Sequence, residues 1–189
     1  RRLAELGLPE VVDAWMAHLL DAAEDSVAAL LPWLQSGRAS DDLDGVPLDV
    51  RLALDGELVV DLRGCGPPHP GNLNAPAAVV HAAVLYALRV LAARPLPLNE
   101  GALRRVRVLT SHPSVVDPPA QAAVAGGNVE TSQRLVDGIL RAAGARAASQ
   151  GTMNNLTLGG DGWSLYETLG GGQGASAAGP GVSGMQVHM

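Results

Sequence analysis

Nothing in this sequence offers the Gly-Lys-Ser/Thr that closes a nucleotide phosphate loop, and the glycine-rich GGGQGA at positions 170–175 is no exception. A phosphate cradle of that type is excluded. Cysteine is almost absent. The single Cys65 rules out an internal disulfide framework and fits a reducing compartment. Gly64, Gly66, Pro67 and Pro68 set it in a loop with no evident base beside it, which favours an incidental cysteine over a catalytic thiol. No apolar run reaches the roughly 20 residues of a membrane span, and no signal-peptide layout is seen, so a cytoplasmic location without a membrane partner is expected. Basic residues number 13 against 19 acidic ones, for a net charge of −6, and they cluster only at Arg104, Arg105 and Arg107. That balance argues against a nucleic-acid surface. Metal-ligand spacing is missing as well. His69 stands between prolines without a second ligand nearby, and the run Asp41, Asp42 and Asp44 lacks the later acidic ligand of a calcium loop, so a solvated loop is expected there.

What is present reads as helices and short strands in one domain, within the size range that buries a sizeable core. Val11, Val12, Trp15, Leu19, Leu20, Ala23, Val27, Leu30, Leu31 and Leu34 recur at helical spacing behind Pro9, giving a helical segment over residues 1–40 that Pro32 kinks or ends. Residues 41–189 form an α+β core. Val46 to Leu54 and Leu58 to Leu62 alternate on either side of Asp55-Gly56, a preferred two-residue hairpin turn. Asn74 is placed to cap a second helix with an apolar stripe from Val79 to Leu91, and Val106 with Val108 marks a further short strand. The fold class that follows is α+β, with amphipathic helices packed on a mostly antiparallel, interrupted sheet.

The element around which the chain is organised runs from Ala122 to Asn155. An apolar lead-in meets Gly126, Gly127 and Asn128, and a helical stripe of Val129, Leu135, Val136, Ile139 and Leu140 follows, ending near Gly144. Asn128 is the N-cap candidate, and the first-turn N–H groups with the helix dipole suit a carboxylate or phosphate oxygen. Ser149, Gln150, Thr152, Asn154 and Asn155 follow the helix as a polar cluster. Asn128 and Asn155 are expected to face one polar pocket with the 126–130 backbone. Tight-turn and cap roles explain the same residues without a ligand. Beyond Asn155, Leu156 to Leu158 and Trp163 to Thr168 read as two strands, and ten of the 26 residues from Gly159 to Gly184 are glycine, read as ordered loops.

The wording of these segments closely resembles the hydantoinase B/5-oxoprolinase family. AAVAGGNVETSQRLVDGIL, AASQGTMNNLTLGG and YETLGGGQGA carry the likeness, and GNLNAPAAVVHAAVLYALRVL, LNEGALRRVRVL and the terminal GVSGMQVHM continue it in the same order. Two departures stand out. Family members are several times longer and carry His- and Asp-rich motifs before this region that are missing here, and Gln186 stands where the family usually has a second histidine before His188. The chain is therefore expected to be a fragment or one part of a split subunit.

The resemblance implies part of the B subunit of an ATP-dependent cyclic amidohydrolase that opens a hydantoin or 5-oxoproline ring. ATP would be used by a hydantoinase A-like partner subunit, and any divalent metal would take its ligands from outside this chain, in a remaining B-subunit segment. Two alternatives stay open. One is a subunit of an acetone or acetophenone carboxylase-like enzyme, and the other is a non-catalytic assembly module in a heteromeric complex. The proton-transfer candidates are Glu130, Glu167 and His188. Gly126, Gly127 and Asn128, with Ser149, Gln150, Asn154 and Asn155, are the candidates for holding a small cyclic amide. Glu130 also fits a first-turn capping role, and a buried Glu167 would need partners.

Overall fold

The computed structural model describes residues 9–92 and 95–188. Helix α1 spans Pro9–Leu30 and gives way to a 3-10 turn, Leu31–Trp33, that holds Pro32. The first eight residues of the expected helical segment lie outside the described residues. Only the second half of α1 is packed: Ala23, Val27 and Leu30 join the core, whereas Val11, Trp15, Met16 and Leu19 are exposed. That half is pinned by the segment around residue 100. The Asn99 side chain accepts from the Gly101 N–H at 2.9 Å and donates to the Leu19 carbonyl at 3.0 Å. Arg104 donates to Asp21 and Glu24, and Arg105 to Glu24.

Strands β1 (Gly37–Leu43), β2 (Val46–Leu54), β3 (Leu58–Asp61) and β4 (Val106–Leu109) form one sheet in that order. The first three are antiparallel and β4 runs parallel to β3, with Leu58 opposite Val106. The expected solvated loop at Asp41, Asp42 and Asp44 is corrected here. Asp41 and Asp42 belong to β1, and Asp44-Gly45 is a two-residue turn with φ of 49° and 87°, the left-handed pair that joins twisted antiparallel strands most readily. Asp41 is then available to Arg134 of the central helix at 3.4 Å. The β2–β3 connection differs in length from the expectation: Leu54 pairs with Leu58, leaving three residues, 55–57, in the turn.

Helix α2 spans Ala77–Leu91 and α3 spans Ser132–Ala142. They pack on each other, and α3 also lies on β1 and β2, so it is covered from two sides. Leu135, Val136, Ile139 and Leu140 are buried, each such side chain contributing about 1.5–3 kcal/mol. The helix stops where the glycine was expected to stop it. Gly144 takes φ of 66°, its N–H donates to the Arg141 carbonyl, and the Ala145 N–H reaches back to the Leu140 carbonyl, which satisfies two carbonyls of the last turn. Asn74 does not cap α2. Pro76 holds the cap position, and the Asn74 side chain is fully buried, accepting from the His69 N–H and donating to the carbonyls of His69, Gly71 and Ala123. It clamps two loops together.

Strands β5 (Asn155–Gly160) and β6 (Trp163–Thr168) make a separate antiparallel ribbon, exposed along nearly its whole length. The α+β reading therefore holds, with the sheet mixed at one edge. No described helix is long and apolar enough to cross a membrane.

Candidate functional site

The start of the central helix is built differently from the expectation. A π-helical turn, Gly127–Thr131, precedes α3, and Asn128 makes no capping bond. Its backbone carbonyl instead accepts from the Ser132 hydroxyl at 2.6 Å, while its side chain is exposed. The Gly126 N–H donates to Asn72, Gly127 to Val124 and Val129 to Gly126, so these donors are spent on protein carbonyls rather than held open for an oxyanion. The glycines serve close packing. A Cβ on Gly127 would collide with the Asn74 carbonyl, and one on Gly126 would come within 2.7 Å of the Leu73 side chain. Loop 72–75 and the turn are pressed together, backbone on backbone.

The polar cluster after α3 is largely engaged with itself. The Thr152 hydroxyl donates to Glu130 at 2.7 Å, and the Met153 N–H donates to the Val129 carbonyl, which ties this segment to the π-helical turn. Gln150 donates to the Thr152 carbonyl and accepts from the N–H groups of Gly171 and Gly172, holding the glycine loop. Asn154 donates to the Leu169 carbonyl, and Asn155 accepts from Thr168 across the ribbon. Asn128 lines a cavity that Asn155 does not reach, so the two asparagines do not share the expected pocket. Glu167 sits opposite Leu156 on the exposed ribbon, not in a buried site.

His188 is placed otherwise. Its Nε2 lies 2.8 Å from Asp137 Oδ1, with the two side chains only 8% and 2% exposed. The Ser149 N–H donates to the same oxygen and the Ser149 hydroxyl to the other, both at 2.9 Å. The carboxylate that already accepts from Ser149 also accepts from Nε2, and in the neutral imidazole that leaves Nδ1 as the acceptor. The Tyr86 ring meets the imidazole edge-on at 5.5 Å. His188 borders a cavity of about 380 Å³ between α2 and α3, walled by Ala82, Ala83, Tyr86, Val136 and Met153, with Asn128, Ser132 and Gln133 as its other polar contacts. That is the size and composition of a small-molecule cleft.

Gln133 adds a second signal. It is 1% exposed, and its Oε1 is buried without a partner among the described residues, a state that costs about 1–3 kcal/mol unless something answers it. Gln133 and Asp137 stand four residues apart on α3 and were missed in the sequence. Both fall on the apolar stripe with Val129, Val136 and Leu140, and polar residues on a stripe that must be buried were the available sign.

Cys65 is inert by its surroundings. Its Sγ lies 3.4 Å from both the N–H and the carbonyl of Asp49, and burial pushes the thiol up to about 11. Among the described residues no three His, Cys, Asp or Glu side chains converge as a metal site.

Comparison with known proteins agrees with the segment likeness. The family described as Hydantoinase B/oxoprolinase matches residues 2–189. The 5-oxoprolinase 1 of Arabidopsis thaliana is 48% identical over 149 residues, 77% of this chain and 12% of that protein. The 5-oxoprolinase of Dictyostelium discoideum is 37% identical over 193 residues, 95% of this chain and 15% of that protein. This chain thus spans 12% to 15% of the length of these two curated relatives. Among solved structures, the ATP-dependent caprolactamase from Pseudomonas jessenii has the same fold over 97% of this chain and 36% of its own, with a TM-score of 0.72 at 23% identity.

Proposed function

This chain belongs to the hydantoinase B/oxoprolinase family, and from that premise we propose that it is part of the ring-opening subunit of an ATP-dependent cyclic amide hydrolase. The observation that carries the reading is the buried Asp137–His188 pair at the wall of a ligand-sized cavity. An unstrained ring amide is a poor electrophile, and the neutral residues of this cavity do not change that alone. ATP, consumed on a hydantoinase A-like partner, would supply a phosphoryl group to the exocyclic amide oxygen. This chain contributes the proton transfers. Water adds to the ring carbonyl carbon, and its proton passes to His188 Nδ1. Asp137 steadies the imidazolium through Nε2. The ring C–N bond then breaks, His188 returns the proton to the departing nitrogen, and a second water releases the phosphoryl group as inorganic phosphate, leaving the open-chain carboxylate. Among the described residues no three His, Cys, Asp or Glu side chains converge, and in this reading ATP and any divalent metal are held by other segments or by the partner.

A second reading, assembly, is favoured by one observation. The free half of α1 and the β5–β6 ribbon expose Trp15, Met16, Leu158, Trp163 and Leu165. Such patches mark contact surfaces, and they suit docking of the partner subunit or the remaining B-subunit segment. The test is a coupled assay for ADP and ring-opened product from hydantoin and 5-oxoproline, run with the complete protein, with and without the A-like subunit. Turnover that needs the partner and is lost in Asp137→Asn supports the proposal. Turnover indifferent to Asp137 supports assembly alone.

A further inference from the structure

We infer that the Gln133 carboxamide is the specificity element of this cavity and that it reads the cis-amide edge of a ring. The inference rests on the reading of the cavity as the ring site and adds what selects the ring. Gln133 reaches the cavity from the same face of α3 as Asp137, one turn away, so a ligand held by Gln133 lies beside the imidazole. The residue is 1% exposed, yet its Oε1 has no protein partner among the described residues. Buried amides are normally satisfied, and the neighbouring Asp137, Ser149 and Gln150 are. Gln186 Nε2 is also unpartnered among the described residues, but Gln186 does not line this cavity. A donor from a bound group would answer the Gln133 oxygen. Rotation about χ3, which is broad and roughly twofold, turns either end of the amide toward the cavity.

A primary carboxamide presents C=O and N–H side by side. Its complement is a group with N–H and C=O on one edge, forming two antiparallel hydrogen bonds. Small rings force an amide into the cis form, which has that edge, whereas open-chain secondary amides are trans and place the two groups on opposite sides. The rest of the wall, Ala82, Ala83, Val136 and Met153, offers apolar contact to ring methylenes. Lactams, cyclic ureides and imides fit this description. Lactones and N-alkylated lactams offer no N–H and leave Oε1 unanswered, a mismatch that discriminates more strongly than a missing methylene.

The test is a ligand-detected NMR titration of the complete protein with 2-pyrrolidone, N-methyl-2-pyrrolidone and γ-butyrolactone, without ATP. In the native protein the lactam binds about tenfold tighter than either analogue. In Gln133→Met, with its melting curve recorded, the three ligands converge while the lactone is held as before. Ala82→Trp, at an exposed position on the cavity mouth, weakens all three. Equal binding of lactam and N-methyl lactam by the native protein overturns the inference without any variant. A lactam preference that survives Gln133→Met, while Ala82→Trp still blocks binding, overturns the role of Gln133 and leaves the cavity as the ring site. Binding untouched by Ala82→Trp overturns the cavity reading itself.

Discussion

Asp137 and His188 stand 51 residues apart in the chain, yet His188 Nε2 lies 2.8 Å from Asp137 Oδ1, with both side chains nearly buried. The pair is built from a helix that the sheet and α2 cover on two sides and from the last segment of the chain, which passes over the glycine loop held by Gln150. Replacing Asp137 by asparagine keeps the shape and removes the charge that steadies the imidazolium. Turnover of the complete enzyme should fall by roughly 10²-fold or more. Ser149→Ala, which loses only one of the carboxylate's donors, should cost much less. Equal losses in the two variants would point to a purely structural carboxylate.

The two glutamates separate in the same assay. Glu167 is exposed on the ribbon, and Glu130 accepts from Thr152 in a tie between the π-helical turn and the segment after α3. Glu167→Gln and Glu130→Gln should each keep turnover within a few-fold of the native value. Thr152→Ala should lower stability by about 1 kcal/mol, the usual net worth of a side-chain hydrogen bond. A hundredfold loss in Glu130→Gln would move the proton-transfer role to that residue.

Much of this fold was legible in the residues. The alternation around Asp55-Gly56, the apolar stripe of α3, the glycine that ends it and the two late strands all depend on local periodicity and turn chemistry, which act over a few residues. The site was less legible. Asn128 and Asn74 have the composition of helix caps, but long-range packing assigns Asn74 to a loop clamp and leaves Asn128 at a cavity mouth. The partnership of His188 with Asp137 depends on how the chain closes on itself. The orphaned Oε1 of Gln133 is a fact of burial, and only the position of Gln133 on an apolar stripe hinted at it.

Gly127 supports a sharper stability test than the amides. Its missing side chain lets the turn lie against the Asn74 carbonyl, so Gly127→Ala should destabilise the protein by about 2–4 kcal/mol through a backbone collision that cannot relax cheaply. Gly45→Ala, at a turn with open space around it, should cost less and do so through φ alone. Thermal melts of the two variants compare the effects directly.

Burial raises the Cys65 thiol from 9.0 to about 11, so the folded state keeps its proton to a higher pH than the unfolded chain. The stability contributed by this proton is fully present below pH 9.0, declines as pH rises above it, and levels off beyond about 11. Denaturant melts between those limits should show less loss with pH in Cys65→Ala. Alkylation of Cys65 near pH 8 should proceed only as fast as the protein opens, and rapid labelling of the native state would contradict the buried placement.

Docking of a partner can be followed without any label. The three tryptophans, Trp15, Trp33 and Trp163, are 68%, 83% and 58% exposed, on α1, just after it, and on the ribbon. Addition of an A-like subunit should shift their emission to shorter wavelength as indole leaves water, and Trp163→Ala or Trp15→Ala should reduce the shift according to which patch is covered. Unchanged emission on complex formation would assign the contact to another surface.

The central claim is that His188, held by Asp137, takes the proton from the attacking water. Its most direct test is the kinetics of His188→Gln in the complete, partner-bound enzyme, with ADP release and ring-opened product measured together on 5-oxoproline and hydantoin. The account predicts kcat for ring opening lower by roughly 10²–10⁴-fold and KM within a few-fold of the native value. Ring opening at near-native kcat would contradict it.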